Sequence, residues 1–397
     1  MERSSGRRIA PLLGAVVAAA VLLPLGARAV ASTDHDDSLW ANALASLGGT
    51  DRPGDFGYVF LPTADGILDG RSPYMDPELF QGPPQAPYAY PPVLALLVTP
   101  LALLPEQVAG SFVPGVLFSL LLIAATIGAL LLLDVRDWRC YPVALLYPVT
   151  AEAIEYGAVG PLLLVLIALV WRLRDRPVVA GIATGGVVVL KLFVWPLALW
   201  LVLTGRLRAA ALAAATVVGL GLASWAAIGF QGISAYPRLL RKLADVEAEN
   251  SYSALAILRA GGLTEVSARA LVVFTGLALL FSAARAARMS ADAPRERDRR
   301  SLILVLAAAL VLTPILWLHY LVLLIVPIAL ARPRLSALWF APLILTVFEA
   351  LNWYRGWPAG DARALVSVAG LIMIVVVAST RHLDAGGEAR RGPATAF

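Results

Sequence analysis

The sequence predicts an all-α polytopic membrane protein. Hydrophobic residues make up 59% of its 397 positions and charged residues only 15%, where a soluble domain carries about 25% charged. The mean hydropathy is +0.77. Apolar runs recur along the whole chain, and the breaks between them hold most of its arginines, as loops on the cytoplasmic side do. The net charge of +5 is therefore a topology signal and no nucleic-acid footprint. Cys140 is the only cysteine, which excludes an internal disulfide and a thiolate metal site.

Taken in order, residues 1–8 carry Arg3, Arg7 and Arg8 and read as a cytoplasmic tail before the first apolar run, 9–31. Ala27-Arg28-Ala29 has the small-residue pattern of a cleavage site. The run is long enough to span, however, and further spans follow, so it reads as an uncleaved helix. Residues 32–106 form a first outside loop whose only cations are Arg52 and Arg71. A span near 107–133 returns to Asp134-Val135-Arg136-Asp137-Trp138-Arg139. The paired runs 140–152 and 159–172 end at Arg172, Arg174 and Arg176, and 178–190 and 192–204 end at Arg206 and Arg208. A run of about 13 residues makes roughly 20 Å of helix against a core of about 30 Å. These pairs are tilted crossings or re-entrant hairpins that begin and end at arginines, so parity is kept either way. The span 209–229, an outside loop 230–265 and the span 266–288 lead to the most basic loop, Arg285 to Arg300. Then come 301–316 with 319–331, closed by Arg332 and Arg334, the spans 335–351 and 363–380, and a polar tail 381–397 expected to be disordered. The expectation is one membrane domain, 9–380, of about 10–12 crossings with both ends cytoplasmic.

The first outside loop concentrates the chemistry. Asp55 follows Pro53-Gly54 and precedes Phe56, Tyr58 and Phe60; a carboxylate among rings at a membrane surface is partly desolvated and gains basicity. A solvated loop aspartate is the plain alternative. Asp34, Asp36 and Asp37 around His35 read as a hydrated charged turn in preference to a cation site. Asp65, Asp69 and Asp76 read as cap and turn residues near Gly70 and Pro73. Tyr88, Tyr90, Pro91 and Pro92 lead into the run 93–104, too short to span, which places the tyrosines at headgroup level; a packing role alone is the plain alternative.

Further along, Lys191 interrupts apolar residues, and an ionisable group there is a functional candidate, here for a phosphate anion; snorkelling to the interface competes with that reading. Arg259 is one of few outside cations. His319, in Trp317-Leu318-His319-Tyr320, sits at an outer break, as a proton relay or a buried structural histidine. Glu152 and Glu155 lie at an outer turn beside Tyr156-Gly157. No Walker loop, dinucleotide fingerprint, zinc-protease helix or Ser-His-Asp arrangement appears, so nucleotide-dependent chemistry inside the cell gets no support.

These pieces in this order resemble glycosyltransferase family 87, the polyprenol-phosphate-mannose-dependent α-mannosyltransferases of actinobacteria, within the GT-C class. The resemblance rests on Asp55-Phe56-Gly57-Tyr58, Gly70-Arg71-Ser72-Pro73-Tyr74, Tyr90-Pro91-Pro92 and Pro100-Leu101-Ala102-Leu103-Leu104-Pro105, with Lys191 to Pro196 and Trp317 to Tyr320 further on. It spans about residues 10–380. Where the family often has Gly-Gln-x-Asn the chain has Gly157-Ala158-Val159-Gly160, and for Asn-Gln-Ser it has Asn250-Ser251-Tyr252.

The resemblance implies a GT-C-like helical bundle with a large first extracytoplasmic loop. It implies transfer of a sugar, mannose first, from a polyprenyl-phosphate donor to a glycolipid or cell-envelope glycan, with inversion. Asp55 would be the base and His319 would orient phosphate or hydroxyl, while Lys191 and Arg259 would take the donor phosphate. Tyr58, Tyr74, Tyr90, Glu155, Asn250 and Trp317 would line the substrate. No metal or other cofactor is expected. A lipid-linked sugar flippase, an arabinofuranosyl transferase and an inactive scaffold of the same fold are the competing readings.

Overall fold

The computed structural model describes residues 54–82, 86–105, 113–247, 251–288, 294–345 and 362–388. Among them every regular element is helical. The first apolar run, the acidic turn Asp34–Asp37, Asn250 and the last residues of the tail lie outside the described residues.

A π-helical turn, Asp55–Phe60, opens into α1 (Leu61–Leu68). Asp76 caps the 3-10 turn Pro77–Leu79 by accepting from Glu78 N at 3.1 Å, the cap role its spacing suggested. The chain continues through α2 (Pro92–Ala102), α3 (Val113–Leu132), α4 (Cys140–Leu145), α5 (Pro148–Glu155), α6 (Gly160–Arg172) and α7 (Pro177–Leu190). After a 3-10 turn, Leu192–Val194, come α8 (Pro196–Leu203), α9 (Leu207–Ala227), α10 (Tyr236–Val246), α11 (Ala254–Ala260), α12 (Glu265–Ala287) and α13 (Pro294–Leu312). A buried 3-10 segment, Leu318–Leu324, runs into α14 (Ile325–Ala331), and the 3-10 segment Ala337–Leu343 precedes α15 (Ala362–Glu388). Each of α5 to α8 has a proline at its first or second position, where the missing N–H was unpaired anyway.

Three helices, α3, α9 and α12, are long and apolar enough to cross a membrane, and a fourth crossing results if α5 and α6, bent by 116°, count as one. The shorter apolar helices include α2, α7 and residues 318–331. The described helices thus reproduce the short paired runs, and α15 continues past Arg381 to Glu388. The run 140–152 contains a further break at Leu146–Tyr147, while the gap before 159–172 falls between α5 and α6 as expected. Tyr88 and Tyr90 take the packing role that competes with a headgroup position, since both are buried. Tyr88 OH donates to Pro91 O at 2.7 Å and accepts from Ala95 N at 2.9 Å, satisfying the start of α2.

The bundle centres on α7 against α9, α12 against α13 and α3 against α6. Gly181 and Gly185 make the first of these contacts close. A Cβ at Gly181 would lie 2.6 Å from Leu212 Cβ, and one at Gly185 would lie 2.5 Å from Thr216 Cβ. Small residues one turn apart let helix backbones approach in this way. The outward faces of α9 and α12 present Val218, Leu222, Phe274 and Phe281, as bilayer-facing helices do.

One end of the bundle is clasped by charge. Arg174 Nε (3.0 Å) and Arg206 Nη2 (2.6 Å) both donate to Asp298 Oδ2, whose side chain is only 2% exposed. Arg206 also reaches Asp175 at 2.8 Å. These contacts tie the α6–α7 turn, the α8–α9 turn and the first turns of α13, and Trp200 Nε1 adds a bond to Ser301 Oγ at 2.9 Å. Removing one partner from such a buried set leaves uncompensated charge. Asp298→Asn is therefore expected to cost about 3 kcal/mol in detergent unfolding experiments, whereas Arg71→Gln, which breaks an exposed pair at 2.8 Å, should cost less than about 1 kcal/mol.

Candidate active site

Away from that clasp, α7 ends at Lys191. The residue adopts φ −152°, ψ 110°, its N–H bonds to Val187 O, and the chain turns through Leu192–Val194 before α8 runs back. Fourteen residues of α7 put roughly 20 Å between Lys191 and the arginine end.

Lys191 Nζ lies 3.6 Å from the ring centroid of Tyr90 and 5.0 Å from that of Tyr320. An ammonium over ring faces is attracted by their quadrupoles, more so when desolvated. Tyr90 OH in turn donates to Asp55 Oδ2 at 3.1 Å. Burial first, and then the Asp55 charge, push the Tyr90 phenol well above its ordinary range, so it stays a donor. Asp55 and Lys191 thus both contact Tyr90, the carboxylate at its hydroxyl and the ammonium over its ring, without forming an ion pair.

The Asp55 turn is held from several sides. Phe56 stacks on Phe118 of α3 at 4.5 Å, and Phe60 meets Tyr90 edge-on at 5.1 Å. Phe56 N donates to Tyr156 O at 3.1 Å. Gly157 turns the chain with φ +63°, and a Cβ there would fall 2.4 Å from Phe56 Cβ. Gly157→Ala combines left-handed backbone with a clash. The expected cost is about 2–4 kcal/mol, read as a lowered unfolding midpoint in detergent.

His319 closes the site from the other side. It is 5% exposed, packs edge-on against Tyr320 at 4.6 Å, and has Nδ1 3.8 Å from Glu152 Oε1 on α5. Neither ring nitrogen has a hydrogen-bond partner. Buried polar atoms are nearly always satisfied, so two unpartnered ring nitrogens mark His319 as a candidate functional group. Tyr320 links it to Lys191, whose Nζ lies 5.0 Å from the same ring.

The polar break before His319 is stitched by Ser251, which accepts from Leu316 N at 2.9 Å and from Ser253 N at 3.0 Å, and by Tyr252 N, which donates to Leu316 O at 2.8 Å. The serine in Asn250-Ser251-Tyr252 is therefore a backbone staple. Gly160 likewise has a packing reason: a Cβ there would come 2.9 Å from Val322 Cγ1 and 3.1 Å from His319 O. An asparagine would displace the segment that carries His319.

The structure thus joins Asp55, Tyr90, Lys191 and His319, four residues the sequence singled out, with Glu152, named there beside Glu155, and Tyr320. The signal for Tyr320 was its place in the Trp317–Tyr320 element, and for Glu152 its place one turn before Glu155. Tyr74 is buried next to this group, with its OH on Tyr90 O at 2.9 Å. Tyr58 and Glu155 are exposed and Trp317 is half-buried. Arg259 sits in the last turn of α11.

A carboxylate, a phenol, an ammonium and an imidazole in one cluster can accept a proton from a hydroxyl while neutralising an anion close by. Comparison with known proteins gives that chemistry a context. The family described as Glycosyltransferase family 87 matches residues 88–314, more than half of the chain. This stretch includes Tyr90, Lys191 and Arg259 and leaves Asp55 and His319 outside. The polyprenol-phosphate-mannose-dependent alpha-(1-2)-phosphatidylinositol mannoside mannosyltransferase of Mycolicibacterium smegmatis is 29% identical over 318 residues, 72% of each chain. No solved structure matches.

Proposed function

The chain belongs to glycosyltransferase family 87, and from that premise we propose that it transfers a sugar, mannose first, from a polyprenyl-phosphate carrier to a hydroxyl of a glycolipid or envelope glycan. The observation that carries the reading is that Asp55 and Lys191 both contact Tyr90, one at its hydroxyl and the other over its ring. The reaction needs a proton acceptor and an anion partner side by side.

The acceptor hydroxyl attacks the anomeric carbon, and its proton passes to Asp55 as the new glycosidic bond forms. The bond from that carbon to the carrier phosphate breaks on the opposite face, which inverts the configuration. The carrier leaves as a phosphate monoester, with one more negative charge than the diester it came from. Lys191 stabilises that developing charge, and Arg259 approaches the phosphate as the donor binds. His319 supplies ring nitrogens to phosphate or sugar hydroxyls. Tyr74 and Tyr90 shape the wall of the site, while Tyr58, Glu155, Asn250 and Trp317 meet the more exposed acceptor.

The arginine-clasped end faces the cytoplasm by the positive-inside rule, so the site opens on the extracytoplasmic side of a single membrane domain, 9–380, with both termini inside. The apolar tail of the carrier lies between helices at bilayer level.

The test uses the purified protein in lipid, with polyprenyl-phosphate-[¹⁴C]mannose and a membrane glycolipid extract. Labelled glycolipid is the expected product. Failure of transfer with this donor, or movement of the intact carrier across the bilayer without transfer, would overturn the reading, the latter in favour of a flippase. Transfer from an arabinofuranosyl carrier alone would correct the sugar.

A further inference from the structure

Helix α10 carries a surface that sugar transfer does not use. Arg238, Arg241 and Lys242 stand at i, i+3 and i+4 and share one helical face; all three are exposed. Among the described residues none of them pairs with a carboxylate. Neighbouring exposed cations on the same side of the bundle are neutralised: Arg71 by Asp69 at 2.8 Å and Arg269 by Glu265 at 2.6 Å. Asp245, at the end of the stripe, is engaged by Arg269 at 3.5 Å.

The opposite face of α10 is apolar and already docked. Leu239 is fully buried, and Leu243 and Val246 pack against the core. Tyr236 lies 4.9 Å from Tyr74 and 5.8 Å from Trp225. The helix therefore cannot turn its cations inward.

Its level is set by α9, whose outward residues Val218 and Leu222 lead to a turn that leaves Phe230 and Ile233 exposed. The apolar outer surface of α9 and of the turn after it thus leads into the helix that carries these three cations, which no described carboxylate pairs. That order, apolar and then cationic, is the profile of a leaflet from acyl chain to headgroup.

We propose that Arg238, Arg241 and Lys242 form a binding surface for the phosphates of anionic phospholipids in the leaflet that borders the transfer site. Charge complementarity and the adjoining apolar surface favour lipid over a soluble anion. The proposal goes beyond the transfer reading and does not depend on it.

The experiment uses the full chain in liposomes containing either phosphatidylglycerol or phosphatidylcholine with a photoreactive diazirine near the headgroup. Adducts on the peptide covering α10 are counted by mass spectrometry. A cation near an anionic surface is worth about fivefold in affinity, so the phosphatidylglycerol probe should label α10 at least about fivefold more. That excess should vanish in the triple variant Arg238→Gln, Arg241→Gln, Lys242→Gln and persist in Arg332→Gln, Arg334→Gln and in Asp55→Asn. Should the triple variant fold poorly, wild-type labelling read at rising salt gives the same decision, since surface attraction is screened. Equal labelling by the two probes, or an excess that survives the triple substitution or high salt, would overturn the proposal.

Discussion

Asp55→Asn is expected to lower the rate of sugar transfer by about 10²–10⁴-fold, the range a positioned general base contributes. The substitution is nearly isosteric, and its side-chain oxygen still accepts from Tyr90 OH, which now bonds Asp55 at 3.1 Å. The stacking of Phe56 on Phe118 is untouched. Folding and donor binding should therefore survive while proton acceptance is lost, and the loss should fall on kcat with KM for the donor little changed. Tyr90→Phe removes the hydroxyl that orients the carboxylate and should cost about 10–100-fold, the size of one hydrogen bond to a charged group. Initial rates with labelled donor distinguish the two. If Asp55→Asn transfers as fast as the parent protein, Asp55 is not the base.

Much of this site was legible in the sequence, and the reason is physical. An aspartate among aromatic residues, a lysine inside an apolar run and a histidine at a helix break each carry a cost that membrane sequences avoid without cause. That cost made Asp55, Lys191 and His319 conspicuous one at a time. Their meeting was not legible, since it depends on Tyr90 touching two of them and on Gly157 letting the Asp55 turn approach the α5–α6 corner. Tyr90 itself was placed at the interface because tyrosines with prolines before a short apolar run usually sit there. Its burial follows from partners 35 residues upstream and 101 residues downstream, Asp55 and Lys191, which no local pattern reports. The short runs were recognised as too short to span, but periodicity cannot tell a tilted crossing from a bent pair. The 116° bend between α5 and α6 comes from the Gly157 turn and Pro161. Gly160 and Ser251, conspicuous as departures from the family pattern, turn out to be fixed by packing and by backbone bonds around His319.

Lys191→Gln should reduce kcat by about 10²–10³-fold, the loss seen when one preorganised partner of a developing anion is removed. Lys191→Arg should not restore the rate. The ammonium sits 3.6 Å from the Tyr90 ring centroid and 5.0 Å from that of Tyr320, a compact site for a point charge, and a planar guanidinium has different size and donor directions. Separating this from a folding defect requires a readout in which charge alone acts, and inhibition by free polyprenyl phosphate provides it. The released carrier is a phosphate monoester, attracted by Lys191 and repelled by Asp55. Lys191→Gln should therefore weaken product inhibition, whereas Asp55→Asn should leave it unchanged or strengthen it, because a like charge has gone. A structural defect would move both variants in the same direction. Opposite shifts in the inhibition constant, at unchanged unfolding midpoints, are the signature of a carboxylate and an ammonium serving the two ends of one displacement. Parallel shifts would dissolve the pairing on which the mechanism stands.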